Sequence, residues 1–358
     1  MTRLLVVAAG TGGHVYPALA VAERLRSMGV DVSWLGTAVG IESRLVPAAG
    51  FPFHVSNVAG LRGKGLARWL AAPLLLLRSA VRAIAVLARV RPHVVLGMGG
   101  YGAGPGGLMA RLLGVPLVIH EQNAVPGFTN RILARFATRV LEAFPESFAP
   151  GRHAIHTGNP VRETLARSPA PEARLARRAG RLRVLVIGGS QGARALNEVV
   201  PRALATGSLA VRVSVRHQCG AANVQATRDG YAALGLEAEI SGYIEDMGAA
   251  YAWTDVAVCR AGAMTVAELA AAGVASILVP FPYATDDHQS RNARWLADRG
   301  AAIVLAESSL DADSLAATLG SLDGDRHRVE SMSRAAYDAA VRDATQRVAA
   351  RCLEVARV

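Results

Sequence analysis

Leu4-Leu5-Val6-Val7-Ala8-Ala9-Gly10-Thr11-Gly12-Gly13-His14 decides the fold, and Leu182-Arg183-Val184-Leu185-Val186-Ile187-Gly188-Gly189-Ser190-Gln191-Gly192-Ala193 repeats its design. In each, an apolar run of strand length feeds a glycine turn, and a run of helix length follows. Glycine lets the backbone bend sharply and approach a ligand closely, and a helix N-terminus offers unpaired N–H groups to phosphate. Two such units in one chain point to two nucleotide-type domains facing each other across a cleft.

The pattern extends outward from both loops. The first half reads as a strand over 4–8, a helix over 15–28, and strands over 30–35, 92–96, 115–120 and 139–143. This alternation predicts a parallel sheet with right-handed crossovers. The second half restarts with a strand over 182–187 and a helix over 195–204. Residues 92–97 lead through glycines and a helix to 114–119, and 254–259 lead through Gly262 and a helix to 273–278 in the same way. The fold class is therefore α/β, with two Rossmann-like doubly wound domains. The turn-rich segment 157–162 suits a hinge and divides the chain into 1–161 and 162–339. Residues 311–358 read as helices, with room for the last, about 340–358, to cross back onto the first domain.

Composition narrows the class. A chain of 358 residues is long for one core. The hydrophobic share of 51% fits well-buried parallel strands. Cys219, Cys259 and Cys352 are far apart and odd in number, which fits neither a disulfide framework nor a zinc site and points to a reducing cytosol. The apolar start is too short for a secretory signal, and no apolar stretch reaches the ~20 residues that span a bilayer. The net charge of +11 is uneven: residues 1–161 hold 16 basic and 6 acidic side chains, residues 162–358 hold 23 and 22. A basic first half implies an anionic surface there: a membrane leaflet, nucleic acid or a phosphorylated substrate.

Each motif has a chemical and a plain reading. The first loop has no Gly-Lys-Ser/Thr, and Trp34-Leu35-Gly36 replaces the acidic residue of a dinucleotide site, which disfavours a nicotinamide enzyme. His14 stands where a helix begins. The helix dipole there disfavours imidazolium, so His14 suits a general base, or else caps the turn. His120-Glu121-Gln122-Asn123 follows a strand, where open α/β sheets bind ligands. Tyr101 lies in the glycine-rich stretch 97–107, an adaptable substrate loop or a plain turn. Arg260 precedes the start of a helix, a place to meet a diphosphate, and Glu268 lies about one turn inside that helix, a place to bridge ribose hydroxyls. Asp286-Asp287-His288-Gln289 matches no standard metal spacing and fits contacts to a sugar better. Over 65–91, Arg78, Arg82 and Arg89 share a helical face among apolar residues, with Arg62, Lys64, Arg68 and Trp69 just before it or at its start. Such a helix lies in a membrane interface, or packs on the sheet with a solvated arginine stripe.

Taken in order, Gly10-Thr11-Gly12-Gly13-His14, Gly60-Leu61-Arg62-Gly63-Lys64-Gly65, Gly97-Met98-Gly99-Gly100-Tyr101, His120-Glu121-Gln122-Asn123, Gly158-Asn159-Pro160-Val161-Arg162, Gly188-Gly189-Ser190-Gln191-Gly192-Ala193 and residues 260–268 resemble the MurG family of bacterial N-acetylglucosaminyltransferases. The resemblance runs from about residue 4 to 349. It implies a GT-B glycosyltransferase that needs no cofactor and moves GlcNAc from UDP-GlcNAc to lipid I. Ile244 would meet uracil and Glu268 the ribose. Ser190, Arg260 and the turn Ala263, Met264, Thr265, Val266 and Ala267 would hold the diphosphate, and Gln289 the sugar. Thr11, Gly12, Gly13, Asn123 and Arg162 would complete the donor site. Arg62, Lys64, Trp69, Arg78, Arg82 and Tyr101 would serve the acceptor and an anionic membrane surface. The implied location is the cytoplasmic face of the bacterial inner membrane, as a peripheral enzyme, with other cell-wall synthesis proteins as potential partners. Two departures stand out: Ala9 where the family often has glycine, and His288 where some members have Gln.

The implied reaction is inverting. His14 takes the proton of the acceptor's 4-hydroxyl, with Glu121 as the alternative base or as the group that orients His14. Helix N-termini and Arg260 stabilise the leaving UDP in place of a metal ion. Two other classes compete. A GT-B UDP-sugar epimerase would share the doubled architecture but needs no membrane patch. A nucleic-acid module would use the basic half, yet aromatics are 5% of the chain and form no evident stacking platform, so nucleic acid is not expected as a partner.

Overall fold

The computed structural model describes residues 1–56, 65–176, 178, 180–189 and 191–356, and of 65–73 the backbone alone. The chain forms two units, Met1–Arg162 with Val341–Val358, and Glu163–Ala340.

Unit 1 is built on β1 (Arg3–Val7), β2 (Asp31–Thr37), β3 (Phe53–Ser56), β4 (Val94–Gly97), β5 (Leu117–Glu121), β6 (Arg139–Glu142) and β7 (Ile155–His156). They form one parallel sheet in the order β3-β2-β1-β4-β5-β6-β7. The near-continuous apolar run of β1 follows from burial on both faces. Leu4, Val6 and Ala8 pack on one side with the helix Gly12–Ser27 and with Val348, Ala349 and Cys352 of the last helix, Ala344–Val355. Leu5 and Val7 point to the other side, against Ala83, Val86 and Leu87 of the helix Gly65–Val90 and Ala103 and Ala110 of the helix Ala103–Leu112. Each fully buried Leu or Val contributes about 1.5–3 kcal/mol.

Unit 2 repeats the plan with β8 (Leu182–Ile187), β9 (Val213–Gln218), β10 (Glu239–Ser241), β11 (Val256–Cys259), β12 (Ala275–Leu278) and β13 (Ala302–Val304). The strands are parallel in the order β10-β9-β8-β11-β12-β13. Val184 and Val186 pack with Leu196 and Val200 of the helix Arg194–Leu204 and with Leu315 and Leu319 of the helix Ala312–Gly324.

In both sheets the strand order reverses beside the first strand, between β1 and β4 and between β8 and β11. Open α/β sheets bind ligands outside the carboxyl ends of the strands at such a switch point. The first glycine loop and residues 98–102 meet there in unit 1, and residues 188–189, 191–193 and 260–262 in unit 2. Two details differ from the sequence reading. The first helix starts at Gly12 rather than 15, which takes His14 into its first turn. The glycine-rich stretch 97–107 is only half a loop, because Ala103–Leu112 is helical: Gly106 and Gly107 lie where the helix presses against Val7 and Leu133.

Candidate active site

The first glycine loop is held from below by a residue with no expected role. Glu42 is fully buried, and its carboxylate accepts from Gly10 N (3.1 Å), Thr37 N (2.9 Å) and Thr37 Oγ1 (2.6 Å). Its readable signal is the pair of flanking glycines: a Cβ on Gly36 would stand 2.7 Å from the Glu42 side chain, and one on Gly40 at 2.0 Å. Thr11 caps the following helix through its backbone, accepting from His14 N (3.1 Å), and no side chain caps that end. Thr11 is exposed, while Gly12, Gly13 and His14 are half-buried.

The His14 ring meets the polar run after β5. His14 Nδ1 lies 2.8 Å from Gln122 Oε1. Gln122 Nε2 lies 3.1 Å from both His120 Nδ1 and His120 O, and His120 Nε2 lies 2.9 Å from Gly158 O. Gln122 and His120 are buried, and burial pushes the His120 imidazole down to about 4 against the opposing pull of its bond to Gly158.

Glu121 is turned to a different task. Its Oε1 accepts from Asn123 N (3.0 Å) and Nδ2 (3.2 Å), and its Oε2 from Gly127 N (3.0 Å) and Asn130 Nδ2 (2.9 Å). A buried carboxylate with four donors on its two oxygens shapes the 121–130 turn. Among the described residues the side chain that meets His14 Nδ1 is that of Gln122 rather than Glu121. Asn123 is thereby fixed at the rim of the turn and also accepts from Ser147 Oγ at 3.1 Å.

Tyr101 is 37% exposed and its ring faces the Gly10 backbone. The Arg162 guanidinium lies over the Tyr16 ring at 6.0 Å. On the helix Gly65–Val90, Ser79, Ala83, Val86 and Leu87 are buried, while Arg78 and Arg82 are exposed. The solvent side is not a plain arginine stripe: Leu74, Leu76, Leu77, Val81 and Ile84 are exposed beside those arginines, Leu77 at 60%. Arg62, Lys64 and Ser190 lie outside the described residues, as does the side chain of Trp69. Among the described residues no helix is long and apolar enough to cross a membrane.

In unit 2 the second loop is held through its backbone. Gln218, at the end of β9, accepts from Gly189 N (3.0 Å) through Oε1 and donates through Nε2 to Gly189 O (2.9 Å) and Gly242 O (3.0 Å). Beside it the buried His217 lies 3.0 Å from both Tyr231 Oη and Asn197 Oδ1, and burial pushes it too down to about 4. The helix Ala263–Ala272 starts at Gly262 without a side-chain cap, so its first turn of backbone N–H groups opens at the switch point. That turn contains Ala263, Met264, Thr265 and Val266, with Ala267 next. Glu268 is half-buried and accepts from Tyr251 Oη at 3.2 Å, which fixes its carboxylate. Ile244 stands half-buried in the loop after β10. Gln289 Oε1 accepts from Phe281 N at 2.9 Å, and His288 Nδ1 bonds to Thr285 O at 2.7 Å.

Arg260 departs from expectation. Its guanidinium pairs with Glu307, approaches Val279 O (3.3 Å) and Pro280 O (3.4 Å), and lies 5.4 Å from the Phe281 ring centre. Its charge is thus engaged beside β12 rather than presented at the start of the helix.

The chain matches the glycosyltransferase family 28 N-terminal domain over residues 4–142 and the family 28 C-terminal domain over 183–348. It is 54% identical to the UDP-N-acetylglucosamine--N-acetylmuramyl-(pentapeptide) pyrophosphoryl-undecaprenol N-acetylglucosamine transferase of Methylococcus capsulatus, over 99% of both chains. A crystal structure of MurG from Acinetobacter baumannii superposes with a TM-score of 0.85 at 42% identity, covering 99% of this chain and 100% of that one. A UDP-GlcNAc 2-epimerase from Neisseria meningitidis shares the fold alone, with a TM-score of 0.68 at 11% identity over 99% of this chain and 100% of that one.

Proposed function

The chain belongs to the MurG family of glycosyltransferases, and from that premise we infer how its residues divide the work. It transfers GlcNAc from UDP-GlcNAc to lipid I, giving lipid II for peptidoglycan. His14 is the general base. Its Nε2 takes the proton from the 4-hydroxyl of the acceptor's MurNAc sugar as that oxygen attacks the anomeric carbon of GlcNAc. The C–O bond to the diphosphate breaks on the opposite face, so the linkage formed is β and UDP leaves with the bonding pair. The observation that carries this assignment is the contrast between neighbours: among the described residues the His14 ring is hydrogen-bonded through Nδ1, to Gln122, while Glu121 is enclosed by four donors.

Unit 2 holds the donor. Glu268, fixed by Tyr251, grips the ribose, and Ile244 lies along the uracil. Ser190 and the helix start from Ala263 to Ala267 receive the diphosphate, where the partial positive charge of the helix end steadies departing UDP. Arg260 joins the diphosphate only by exchanging its bond to Glu307. Gln289 meets the sugar, and Thr11, Gly12, Gly13, Asn123 and Arg162 add further donor contacts. Tyr101 stands beside the acceptor.

The exposed Leu74, Leu77 and Val81 with Arg78 and Arg82, together with Arg62, Lys64 and Trp69 earlier in the sequence, dock the protein on an anionic leaflet as a peripheral enzyme at the cytoplasmic face. Product analysis with UDP-GlcNAc and a lipid I analogue tests the reaction: a disaccharide lipid is expected, and donor epimerisation would redirect the reading. Flotation with phosphatidylglycerol vesicles tests the docking surface. Leu77→Asp should reduce co-flotation, and RNA as competitor should not; displacement by RNA would favour a nucleic-acid surface instead.

A further inference from the structure

Two backbone carbonyls determine where the protons of the His14 network lie. A carbonyl oxygen only accepts, so the Gln122 atom 3.1 Å from His120 O is the amide nitrogen, and the Gln122 atom facing His14 is its oxygen. An amide oxygen also only accepts, so His14 Nδ1, at 2.8 Å, carries the hydrogen. The remaining ring nitrogen, Nε2, then holds the lone pair. By the same logic Gly158 O, at 2.9 Å, fixes the hydrogen of His120 on Nε2 and leaves its Nδ1 bare to accept the second N–H of Gln122 at 3.1 Å. The chain Gly158–His120–Gln122–His14 therefore runs in one direction only.

We propose that Gln122 and His120 are positioning residues that lock His14 in its Nδ1–H tautomer and so present Nε2 to the acceptor hydroxyl. The proposal rests on the reading of His14 as the base. A carboxylate at the position of Gln122 would also accept from Nδ1, as an Asp does in hydrolytic triads, but would set an oxygen against His120 O and Nδ1. The neutral amide fixes direction without adding a negative charge beside the imidazolium that forms.

Packing supports the lock. Asn159 Nδ2 donates to Gln122 O (2.9 Å) and Asn130 Nδ2 to His120 O (3.1 Å), which holds both residues by their backbones. The His14 ring lies against the 99–100 backbone, where a Cβ on Gly99 would stand 3.0 Å from ring atoms Cε1 and Nδ1. Burial keeps His120 neutral, as the direction of the chain requires. A protonated His120 would turn a second donor against the Gln122 N–H and break the chain at that bond.

Long-range 1H–15N correlation spectra of the full-length protein with 15N-labelled histidine, assigned with His14→Ala, read the tautomer directly. The wild type should show His14 protonated on Nδ1 near neutral pH. Gln122→Met should release it toward the Nε2–H form and lower kcat about 10-fold to 100-fold, as loss of an outer partner does for a metal-ligating imidazole, while KM for UDP-GlcNAc stays unchanged. Gln122→Glu, which keeps an acceptor at that place, should retain the Nδ1–H form. An Nε2–H form in the wild type overturns the proposal and removes Nε2 as the proton-accepting atom, and needs no variant to fold. Normal turnover in His14→Ala would instead overturn the base assignment itself.

Discussion

The two glycine loops sit at the same place in two sheets of the same plan, yet a glutamine at a strand end uses them differently. In unit 1 Gln122 reaches the His14 side chain, and the loop backbone is left to Glu42. In unit 2 Gln218 closes on the backbone of Gly189 itself. The first loop thus presents a side chain with chemistry, and the second a shaped backbone. Duplicated architecture fixes where a ligand sits, whereas one side chain and its amide partner decide whether the loop reacts or only binds.

The largest expected effect breaks this contrast at His14. His14→Ala should lower turnover by roughly 10²–10⁴-fold, the usual worth of a general base, with donor affinity and melting temperature unchanged. Near-normal turnover would leave both loops as mere binding loops.

Next comes what the loops share, a buried neutral imidazole beside each. His120 and His217 have folded values of about 4, below the unfolded 6.5. Above 6.5 neither state binds the proton and stability is full. Between 6.5 and 4 the unfolded chain takes up a proton that the folded chain refuses, so stability falls, by up to about 3 kcal/mol for each imidazole. Hydrogen exchange at pH 7.5, 5.5 and 4 should show both units losing protection; loss in one alone would separate them.

A smaller effect tests the backbones. Gly100 has φ +79 and a Cβ there would lie 2.0 Å from Ala9 O; Gly192 has φ +76 and its Cβ would lie 2.0 Å from Cys219 O. Alanine at either costs about 1–3 kcal/mol for the left-handed backbone alone, and the contact with a backbone oxygen further displaces the loop. Steady-state kinetics should then diverge: Gly100→Ala lowers kcat through the displaced His14, and Gly192→Ala raises KM for UDP-GlcNAc. The smallest change is Tyr251→Phe. It removes one bond to Glu268, about 0.5–1.5 kcal/mol, and should raise donor KM up to about tenfold at constant kcat. A change in kcat instead would move Glu268 from binding to chemistry.

Much of this plan was legible in the chain. The runs at 4–8 and 182–187 are apolar on both faces because each strand is covered on both sides, and composition records that without coordinates. The glycine loops were legible because a tight turn before a helix admits few other residues. Glu42 was not, although Gly36 and Gly40 flanked it, because its partners Gly10 and Thr37 lie on other segments. The exposure of Leu77 and Val81 was equally hidden: periodicity places arginines on one face of a helix but does not say which face the sheet covers.

The sequence by itself determined that there are two α/β units, that each ends a strand in a phosphate-type loop, and that His14 starts a helix, because these follow from local spacing and backbone sterics. Only the tertiary structure decided that Glu121 is enclosed, that Arg260 faces Glu307, and that Gln122 meets His14. Hydrogen bonds are short and directional, so which of several adjacent polar residues makes them depends on segments brought together from far along the chain. Residues 14 and 122 become neighbours only when β4 pairs beside β1 at the switch point and β5 comes to lie beside β4.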